Sequence, residues 1–446
     1  MANPSSVKHI AIVGAGLVGS LLAVYMRKRG HSVKVFERRP DLRKNILDGG
    51  RSINLVVTSR GIHALEKVGL WDKVKEQTVS VRGRMMHDLK GETTYQPYGR
   101  NDSECNYSIS RTHLNQMLLH EAEIEGAQLH FECPILEMDI ENSTLRFESG
   151  SEKFDHIFGT DGAGSVVRKQ MMSALQKRGV EQVNTLEPLG AGYKELTLPA
   201  AGAGEYALDK NALHIWPRGH HMLMGLANLD GSFTMTLYLP EAGRDSFEEV
   251  KTADQAFQFF KEQYPDAVPL MPNLATEYSE NPQGFLGTVR CAPWVFKDKV
   301  ALLGDAAHAV VPFFGQGMNC GFEDITYLMT ALDEFSEDWE KAFLTYFERQ
   351  KPNADAIADM AIENFIEMRD RVADDKFLLR KKVERRLEQE LPELYRTRYA
   401  MVTYTLVPYA EAKSKGIEQN KILDQLCANI NDPSQLDIEA AKQLLL

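Results

Sequence analysis

The chain contains few cysteines and no long hydrophobic run. Five cysteines occur in 446 residues, an odd number without a C-x-x-C pair, which argues against a disulfide framework and against a structural metal site. The most apolar later stretch, residues 300–314, contains Asp305 and His308 and is too short to cross a bilayer. We therefore expect a reduced, cytoplasmic protein without a transmembrane anchor.

The sequence also lacks any excess of positive charge. Its formal net charge is −12 and its pI is about 5.6, which argues against nucleic-acid binding but leaves room for a local cationic pocket. The adjacent His220 and His221 would point to opposite faces of a strand, so we predict no metal site there. The length and the ordinary composition, 43% hydrophobic and 26% charged, predict two or three globular domains.

A glycine-rich loop near the start has the order that is typical of dinucleotide binding. It starts with a buried strand at residues 8–13, followed by a G-x-G-x-x-G loop with Gly14, Gly16 and Gly19. A helix at residues 20–29 comes next, and a second strand at residues 33–36 ends in the acid Glu37. Gly14 permits the tight turn, Gly16 lets the backbone approach a pyrophosphate, and Gly19 lets helix and strand pack closely. The helix N-terminus offers unpaired N–H groups to the phosphates, and Glu37 would accept hydrogen bonds from a ribose.

The remaining pattern predicts an α/β fold with an inserted sheet. Four strands without intervening helices, at 193–198, 213–216, 222–227 and 233–239, indicate an antiparallel insertion, and residues 82–98 predict a hairpin. Helices are predicted at 61–77 and 246–263, and beyond residue 333 the pattern is almost wholly helical. The expected domains are a discontinuous nucleotide-binding domain (1–80, 100–180 and 285–333), a β-sheet domain (81–99 and 181–284) and a C-terminal helical domain (334–446).

Two further motifs each join a strand to a helix. Residues 159–168, GTDGAGSVVR, follow one strand, and Asp161 there could be a simple helix cap. Residues 301–308, ALLGDAAH, end a buried strand in an acid, and Gly315 and Gly317 precede another helix. This second arrangement suits an acid that binds a ribityl or ribose hydroxyl and a helix N-terminus that faces an electron-rich ring.

These three motifs, in this order and spacing, resemble the FAD-dependent aromatic-ring hydroxylases of the para-hydroxybenzoate hydroxylase fold. The resemblance implies tightly bound FAD and a Rossmann-like FAD-binding fold with an antiparallel substrate sheet. It also implies that the residues matching the family's motifs bind the cofactor: Gly14, Gly16, Gly19, Glu37, Arg38, Arg111, Asp161, Gly304, Asp305, Gly317, Met318 and Asn319. Of these, Asp161 would serve FAD and the pyridine nucleotide together, and the backbone of residues 317–319 would face the flavin pyrimidine.

Eight further segments restrict the resemblance to one family within these hydroxylases. They resemble the soluble bacterial members of the kynurenine 3-monooxygenase family and lie at residues 36–41, 50–55, 82–85, 96–100, 193–196, 211–217, 363–364 and 399–403. Together with the motifs they extend the resemblance over roughly residues 8 to 410. It implies hydroxylation of L-kynurenine to 3-hydroxy-L-kynurenine with NADPH and O2 through a C4a-hydroperoxyflavin, in tryptophan degradation and quinolinate and NAD biosynthesis.

Kynurenine is a zwitterionic aminophenyl ketone, so its site needs a forked cation, polar donors and apolar walls. Arg84 supplies the forked cation, and the family pattern places Tyr98 and Asn364 beside it as polar groups. Phe313, Met368 and Tyr399 are candidates for the apolar walls, although each could also be an ordinary core residue. Some bacterial relatives carry a histidine where this chain has Phe314, so we expect no acid–base role there.

Two alternatives stay open from the sequence. A related flavin hydroxylase that acts on another aromatic acid would share the motifs, and a non-catalytic FAD-bearing interaction protein could use the helical tail as a docking surface. The sequence leaves open the choice between NADPH and NADH and between a monomer and a homodimer.

Overall fold

The computed structural model describes residues 7–44, 54–370 and 375–446. Residues 50–53 of the family-like segment 50–55 lie outside the described residues. The strands alternate with helices at first and then follow one another directly. They are β1 (His9–Val13), β2 (Ser32–Phe36), β3 (Asn54–Val57), β4 (Val79–Val81), β5 (Gly83–His87), β6 (Thr93–Pro97), β7 (Asn106–Ser110), β8 (Gln128–His130), β9 (Glu137–Asp139), β10 (Thr144–Phe147), β11 (Gly150–Lys153), β12 (His156–Gly159), β13 (Val183–Leu198), β14 (Ala212–Pro217), β15 (Met222–Ala227), β16 (Phe233–Pro240), β17 (Gly284–Ala292), β18 (Val295–Phe296) and β19 (Val300–Leu302).

The α-helices become longer and more frequent towards the C-terminus. They are α1 (Leu17–Lys28), α2 (Ser59–Lys67), α3 (Trp71–Lys75), α4 (Arg111–Ile124), α5 (Val166–Lys177), α6 (Ala253–Gln263), α7 (Leu274–Glu280), α8 (Asp305–His308), α9 (Gly317–Glu334), α10 (Trp339–Asp370), α11 (Asp375–Glu390), α12 (Arg398–Tyr404), α13 (Tyr409–Cys427) and α14 (Ile438–Leu445). Short 3-10 helices occur at Val268–Leu270, Pro312–Phe314 and Pro433–Gln435.

The chain divides into two compact units, each built from three segments. The first unit contains Met1–Gln77, Ile109–Leu189 and Gly287–Ala358, and the second contains Thr78–Ser108, Gly190–Leu286 and Asp359–Leu446. These units describe where the backbone is densely packed. The three-domain division made from the sequence stays a prediction.

A parallel sheet forms the centre of the first unit. Its strand order is β18-β19-β12-β1-β2-β8, with β1 parallel to both β2 and β12 and β12 parallel to β19. Ile10, Ile12 and Ile157 on these strands are buried, as expected where a parallel sheet is covered on both faces. The predicted buried strand near residue 300 and the α/β class are therefore confirmed.

A seven-stranded sheet, in the order β17-β13-β16-β15-β14-β5-β6, characterises the second unit. Strands β14, β15 and β16 pair antiparallel, and β5 and β6 form the predicted hairpin, although β5 joins β14 in parallel. Alternate residues of β16, among them Phe233 and Leu237, are buried in one core with Phe260 of α6 and Tyr278 of α7. Packing of one face of the strand into this core sets the register of the sheet.

The C-terminal residues of the second unit are helical, as predicted. Helices α11, α13 and α14 share a small core in which Val383, Leu387 and Leu423 are fully buried. None of the helices in the described part of the chain combines the length and apolar composition that crossing a bilayer requires. All five cysteines are free thiols.

Three local predictions were wrong. The helix predicted at 61–77 is two helices, because Gly69 adopts a left-handed φ of +74° and ends α2. The helix predicted at 246–263 begins only at Ala253, where Thr252 and Gln255 form a capping box. His220 and His221 lie in the turn between β14 and β15 rather than in a strand, so they do not point to opposite faces of one.

Candidate active site

The glycine loop between β1 and α1 is shaped by close backbone packing. Gly14 has a φ of +103°, and a Cβ there would lie 2.6 Å from the Thr160 carbonyl oxygen. A Cβ on Gly19 would lie 2.0 Å from the carbonyl oxygen of Gly14, so both positions require glycine. A Cβ on Gly16 would meet no protein atom within 4 Å. The space beside Gly16 is therefore open for a ligand.

The N-terminus of α1 carries no side-chain cap at Gly16, which leaves its first N–H groups for an anion. Glu37 follows β2, and its carboxylate accepts hydrogen bonds from the backbone N–H of Ala15 at 3.0 Å and from Arg39 Nε at 2.9 Å. Burial raises the pKa of Glu37, but the hydrogen bonds from Arg39 and Ala15 outweigh burial, so the pKa lies below its usual value. Glu37 is therefore a carboxylate beside the loop, while Arg38 is exposed.

Asp161 in the second motif caps a helix. Its carboxylate accepts hydrogen bonds from the Ser165 hydroxyl at 2.5 Å and from the backbone N–H groups of Val166 and Val167 at 2.7 and 3.2 Å. Burial raises the pKa of Asp161. Asp161 therefore binds the first N–H groups of α5, whose N-cap residue is Ser165, and its contact with a cofactor stays a prediction.

The third motif presents a glycine turn and a helix start. Gly304 has a φ of +60°, and a Cβ there would lie 2.9 Å from Val18 on α1. Asp305 follows it and is half-buried at the start of α8, and Gly317, Met318 and Asn319 form the first turn of α9. The motif thus brings its acid next to a turn that only glycine can form.

The Asn319 side chain is committed to the protein. Its Oδ1 accepts from the backbone N–H of Thr58 at 2.9 Å, and its Nδ2 donates to the carbonyl oxygens of Val56 and Gly315 at 2.8 and 2.9 Å. Asn319 therefore fixes the start of α9 against the segment after β3. Its backbone, rather than its side-chain amide, is therefore what is available to a ligand, and its contact with a cofactor stays a prediction.

Sequence reasoning missed a buried ionic pair behind the third motif. Asp324 Oδ2 accepts from the backbone N–H of Gly304 at 2.7 Å and lies 2.6 Å from His308 Nε2, while its Oδ1 accepts from Gln350 Nε2 at 3.1 Å. Burial lowers the pKa of His308, but the Asp324 charge outweighs burial and holds the pKa well above its usual value. The sequence signal was an acid inside the apolar stretch of α9.

Arg111 is the first residue of α4 and is exposed, and the Ser110 hydroxyl caps that helix by accepting from the His113 N–H at 3.4 Å. In the first unit the glycine loop, Glu37 and the Gly304 turn thus follow β1, β2 and β19 of one sheet, in which β12 lies between β1 and β19. The cofactor roles of Arg38 and Arg111 stay predictions.

In the second unit, Arg84, Tyr98, Tyr399 and Asn106 form what we call the arginine–tyrosine cluster. The Tyr98 and Tyr399 rings stack with centroids 5.2 Å apart, and the Arg84 guanidinium lies 5.3 and 5.6 Å from the two centroids. Arg84 Nε donates to the Tyr98 hydroxyl at 3.4 Å. Arg84 lies on β5, Tyr98 directly follows β6, Asn106 lies on β7 and Tyr399 lies on α12. The structure brings the three predicted residues Arg84, Tyr98 and Tyr399 together, and their binding of a substrate stays a prediction.

The cluster keeps its arginine charged without an ion pair. Burial lowers the pKa of Arg84, but Tyr98 and Tyr399 outweigh burial, and Glu367 on α10 adds a smaller effect in the same direction. Among the described residues, no carboxylate lies within salt-bridge distance of the Arg84 guanidinium. A half-buried guanidinium with aromatic neighbours and no carboxylate partner is suited to an anionic ligand.

Asn106 was not foreseen. It is buried on β7, and its Nδ2 donates to the Tyr399 hydroxyl at 2.9 Å, which fixes that hydroxyl relative to the strand. An ion pair of 2.8 Å also joins Glu104, two residues before Asn106, to Arg396, three residues before Tyr399. Only a contact across nearly 300 residues of sequence reveals Asn106, so no local pattern could have found it.

The other predicted substrate residues are less closely connected to the cluster. Asn364 and Met368 are buried one helical turn apart on α10, with the Asn364 amide 3.5 Å from the Met368 sulfur. Phe313 is buried in the 3-10 turn Pro312–Phe314 of the first unit. Their assignment to the substrate site stays a prediction.

Comparisons with known proteins identify relatives of this chain. The FAD binding domain family matches residues 8–361. The kynurenine 3-monooxygenase of Myxococcus xanthus strain DK1622 is 44% identical over 443 residues, which cover 98% of this chain and 94% of the relative. The enzyme of the same name from Legionella pneumophila strain Corby is 40% identical over 444 residues, covering 98% and 97%.

Solved structures agree on the fold. The tetrameric form of 2-methyl-3-hydroxypyridine-5-carboxylic acid oxygenase superposes with a TM-score of 0.67 at 20% identity, over 82% of this chain and 94% of that one. Pseudomonas aeruginosa PqsL, in complex with 2-aminobenzoylacetate, gives a TM-score of 0.65 at 20% identity, over 82% and 97%. The predicted FAD-binding monooxygenase fold is therefore confirmed.

Proposed function

Because this chain belongs to the kynurenine 3-monooxygenase family, with its FAD-binding domain, we propose that it hydroxylates L-kynurenine to 3-hydroxy-L-kynurenine. The balanced reaction consumes NADPH, a proton and O2 and releases NADP+ and water. One oxygen atom enters the ring, and the other leaves as water.

The observation that carries the proposal is the arginine–tyrosine cluster. A forked guanidinium matches the two oxygens of an amino-acid carboxylate, and Arg84 has no competing carboxylate within salt-bridge distance among the described residues. The hydroxyl of Tyr399, held by Asn106, and the hydroxyl of Tyr98 lie beside it. We assign the carboxylate of L-kynurenine to Arg84, with Tyr98 and Tyr399 as further polar contacts.

Further residues of the second unit are proposed to complete the substrate site. The amide of Asn364 would add a polar donor, and Met368, one turn later on α10, would supply apolar surface. These polar and apolar contacts match the substrate, which is a zwitterion with an aromatic ketone.

The first unit fits FAD. The open space at Gly16 and the uncapped start of α1 suit a pyrophosphate, Glu37 suits a ribose, and Asp305 suits the ribityl chain. The backbone N–H groups at the start of α9 would hold the pyrimidine edge, because the Asn319 side chain is already committed. When bound, FAD supplies the transfer of reducing equivalents from NADPH and the activation of O2.

The protein is then required to bind, orient and protect rather than to attack the substrate. Arg84 and its tyrosines would fix the amino-acid end, so that the ring is presented in one orientation. Apolar side chains would exclude water, which favours transfer of oxygen to the ring over release of hydrogen peroxide.

We further propose that the protein acts in the cytoplasm, as a monomer or a homodimer. Five free thiols and bacterial relatives support a reducing compartment. Sedimentation of the purified holoenzyme would determine the number of subunits.

The test is substrate-dependent NADPH oxidation by the purified yellow protein. We expect L-kynurenine to stimulate NADPH consumption strongly, with 3-hydroxykynurenine formed in nearly equal amount. Other aromatic acids should stimulate NADPH consumption only weakly. NADH in place of NADPH should support only slow turnover of L-kynurenine. Stimulation that yields only hydrogen peroxide, or stronger turnover of another aromatic acid, would refute the substrate assignment.

A further inference from the structure

Two histidines and an aspartate converge at one edge of the second unit. His220 and His221 lie in the turn between β14 and β15, and Asp245 lies in the loop after β16. One ring nitrogen of each histidine and one carboxylate oxygen of Asp245 all lie within 4.8 Å of one another. Mixed nitrogen and oxygen ligands at this spacing are the donor set of borderline divalent metals.

The His221 ring is held in place by a second contact. It is buried, and its Nδ1 lies 2.6 Å from the Tyr264 hydroxyl, while Phe259 packs beside the ring. Because the Tyr264 hydroxyl contacts Nδ1, a cation at this cluster would bind His221 through Nε2. An outer partner that fixes the ring of a histidine ligand is a regular feature of metal sites.

Asp245 lies close to His220. Its Oδ2 lies 3.2 Å from His220 Nε2, close to the separation of about 3.3 Å between two ligands of a tetrahedral zinc ion with bonds near 2.0 Å. The Asp245 backbone N–H donates to Glu249 Oε2 at 2.9 Å, which holds the loop with a left-handed φ of +53°. The carboxylate is therefore presented by a defined loop.

The present partner of Asp245 is weak. Arg244 Nε lies 3.2 Å from Asp245 Oδ2, but the Arg244 side chain is 85% exposed. A solvent-exposed ion pair of this kind contributes little, so a divalent cation can displace it.

We propose that His220, His221 and Asp245 bind one divalent transition-metal ion of the zinc type, with water as the remaining ligand. The ion would join the β14–β15 turn to the loop after β16 and stabilise this end of three central strands of the sheet. Two imidazoles disfavour Mg²⁺ and Ca²⁺, which prefer oxygen ligands. The proposal is independent of the hydroxylation reaction.

The test titrates the FAD-loaded full-length protein, first stripped with a chelator, with Zn²⁺ by calorimetry and with Co²⁺ by visible absorption. We expect one site with tetrahedral Co²⁺ bands, and a higher melting temperature with Zn²⁺. His220→Asn and Asp245→Asn should each weaken Zn²⁺ binding at least tenfold. His221 is left unchanged, because its burial against Tyr264 makes a folding defect the expected result.

Matched controls change exposed residues of the same types elsewhere. His120→Asn and Asp254→Asn should bind Zn²⁺ like the unaltered protein. No binding by the unaltered protein would overturn the proposal, and so would equal Zn²⁺ affinity in His220→Asn and Asp245→Asn. Equal loss in the two control variants would also overturn it, because the site would then lie elsewhere.

Discussion

The nucleotide loops of the first unit and the arginine–tyrosine cluster of the second both suit anionic groups, but with different parts of the chain. In the loops, glycines and the start of α1 expose backbone N–H groups, and a missing Cβ decides the shape. In the cluster, one guanidinium lies 5.3 and 5.6 Å from the centroids of two tyrosine rings that stack on each other. The first type of site tolerates no added methyl group where the backbone is packed, whereas the second depends on functional groups that can be removed one at a time.

The largest effect is expected at Gly19. Gly19→Ala would place a Cβ 2.0 Å from the Gly14 carbonyl oxygen and 2.5 Å from Thr160 Oγ1, so β1 and α1 could not pack. We expect insoluble or FAD-free protein, measured by yield and by the flavin absorbance of the purified sample.

The matched control is Gly16→Ala, whose Cβ meets no protein atom within 4 Å. It should fold, as judged by circular dichroism, and bind FAD more weakly. Normal FAD content in Gly19→Ala would contradict the close packing that we describe.

A second large effect is expected at Arg84. Arg84→Gln removes the charged fork, and loss of one partner of a buried charge pair costs about 2 to 5 kcal/mol of binding free energy. We expect the Kd for L-kynurenine to rise accordingly while the FAD content is unchanged, as measured by titration of flavin fluorescence.

Arg82→Gln is the control for Arg84, because Arg82 is an exposed arginine two residues away. It should leave both affinities unaltered. If Arg84→Gln binds L-kynurenine normally, Arg84 does not bind the carboxylate.

Acid should destabilise both units through buried neutral histidines. Burial lowers the pKa of His156 in the first unit and of His214 in the second to about 4. Because the unfolded chain takes up these protons near pH 6.5 and the folded protein does not, stability falls from about pH 6.5 to about pH 4. Each group contributes about 1.4 kcal/mol per pH unit.

Melting temperatures between pH 7 and pH 5 measure this loss. His156→Asn should reduce the pH dependence, because it removes one of the groups; its Nδ1 now lies 2.5 Å from the Asp298 carbonyl oxygen. An identical pH dependence in His156→Asn would rule out this contribution of His156.

The smallest effect is expected at Tyr399. Tyr399→Phe keeps the ring stacked on Tyr98 but leaves the buried Asn106 amide without its acceptor, at a cost of about 1 kcal/mol. We expect a slightly lower melting temperature, a modest rise in the Kd for L-kynurenine and normal FAD content. A double-mutant cycle with Asn106→Ala should show that the two changes are not additive, and full additivity would deny the contact.

The comparison also explains what the sequence could predict. The glycine loop and the Gly304 turn are encoded within a few residues, so their spacing was enough to locate them. Asp161 shows the limit of this approach, because the same local pattern fits a helix cap, which is the contact that the structure contains. Local spacing specifies where the backbone turns, but not which ligand a side chain will meet.

Long-range contacts and turns were harder to predict. Asn106 and Tyr399, and likewise Gly304 and Asp324, meet only in the folded protein. The prediction of one helix at 61–77 is wrong because Gly69 is a signal that ends a helix. The prediction of a strand at His220 and His221 is wrong because Pro217 and Gly219, which precede them, favour a turn.

Isotope labelling tests the central claim most directly. The holoenzyme is supplied with NADPH, L-kynurenine and ¹⁸O2, and the product is analysed by mass spectrometry. We predict 3-hydroxykynurenine that carries one ¹⁸O atom, formed in nearly equal amount to the NADPH consumed. Unlabelled product, or NADPH consumed with only labelled hydrogen peroxide formed, would contradict the assignment of this chain as a kynurenine hydroxylase.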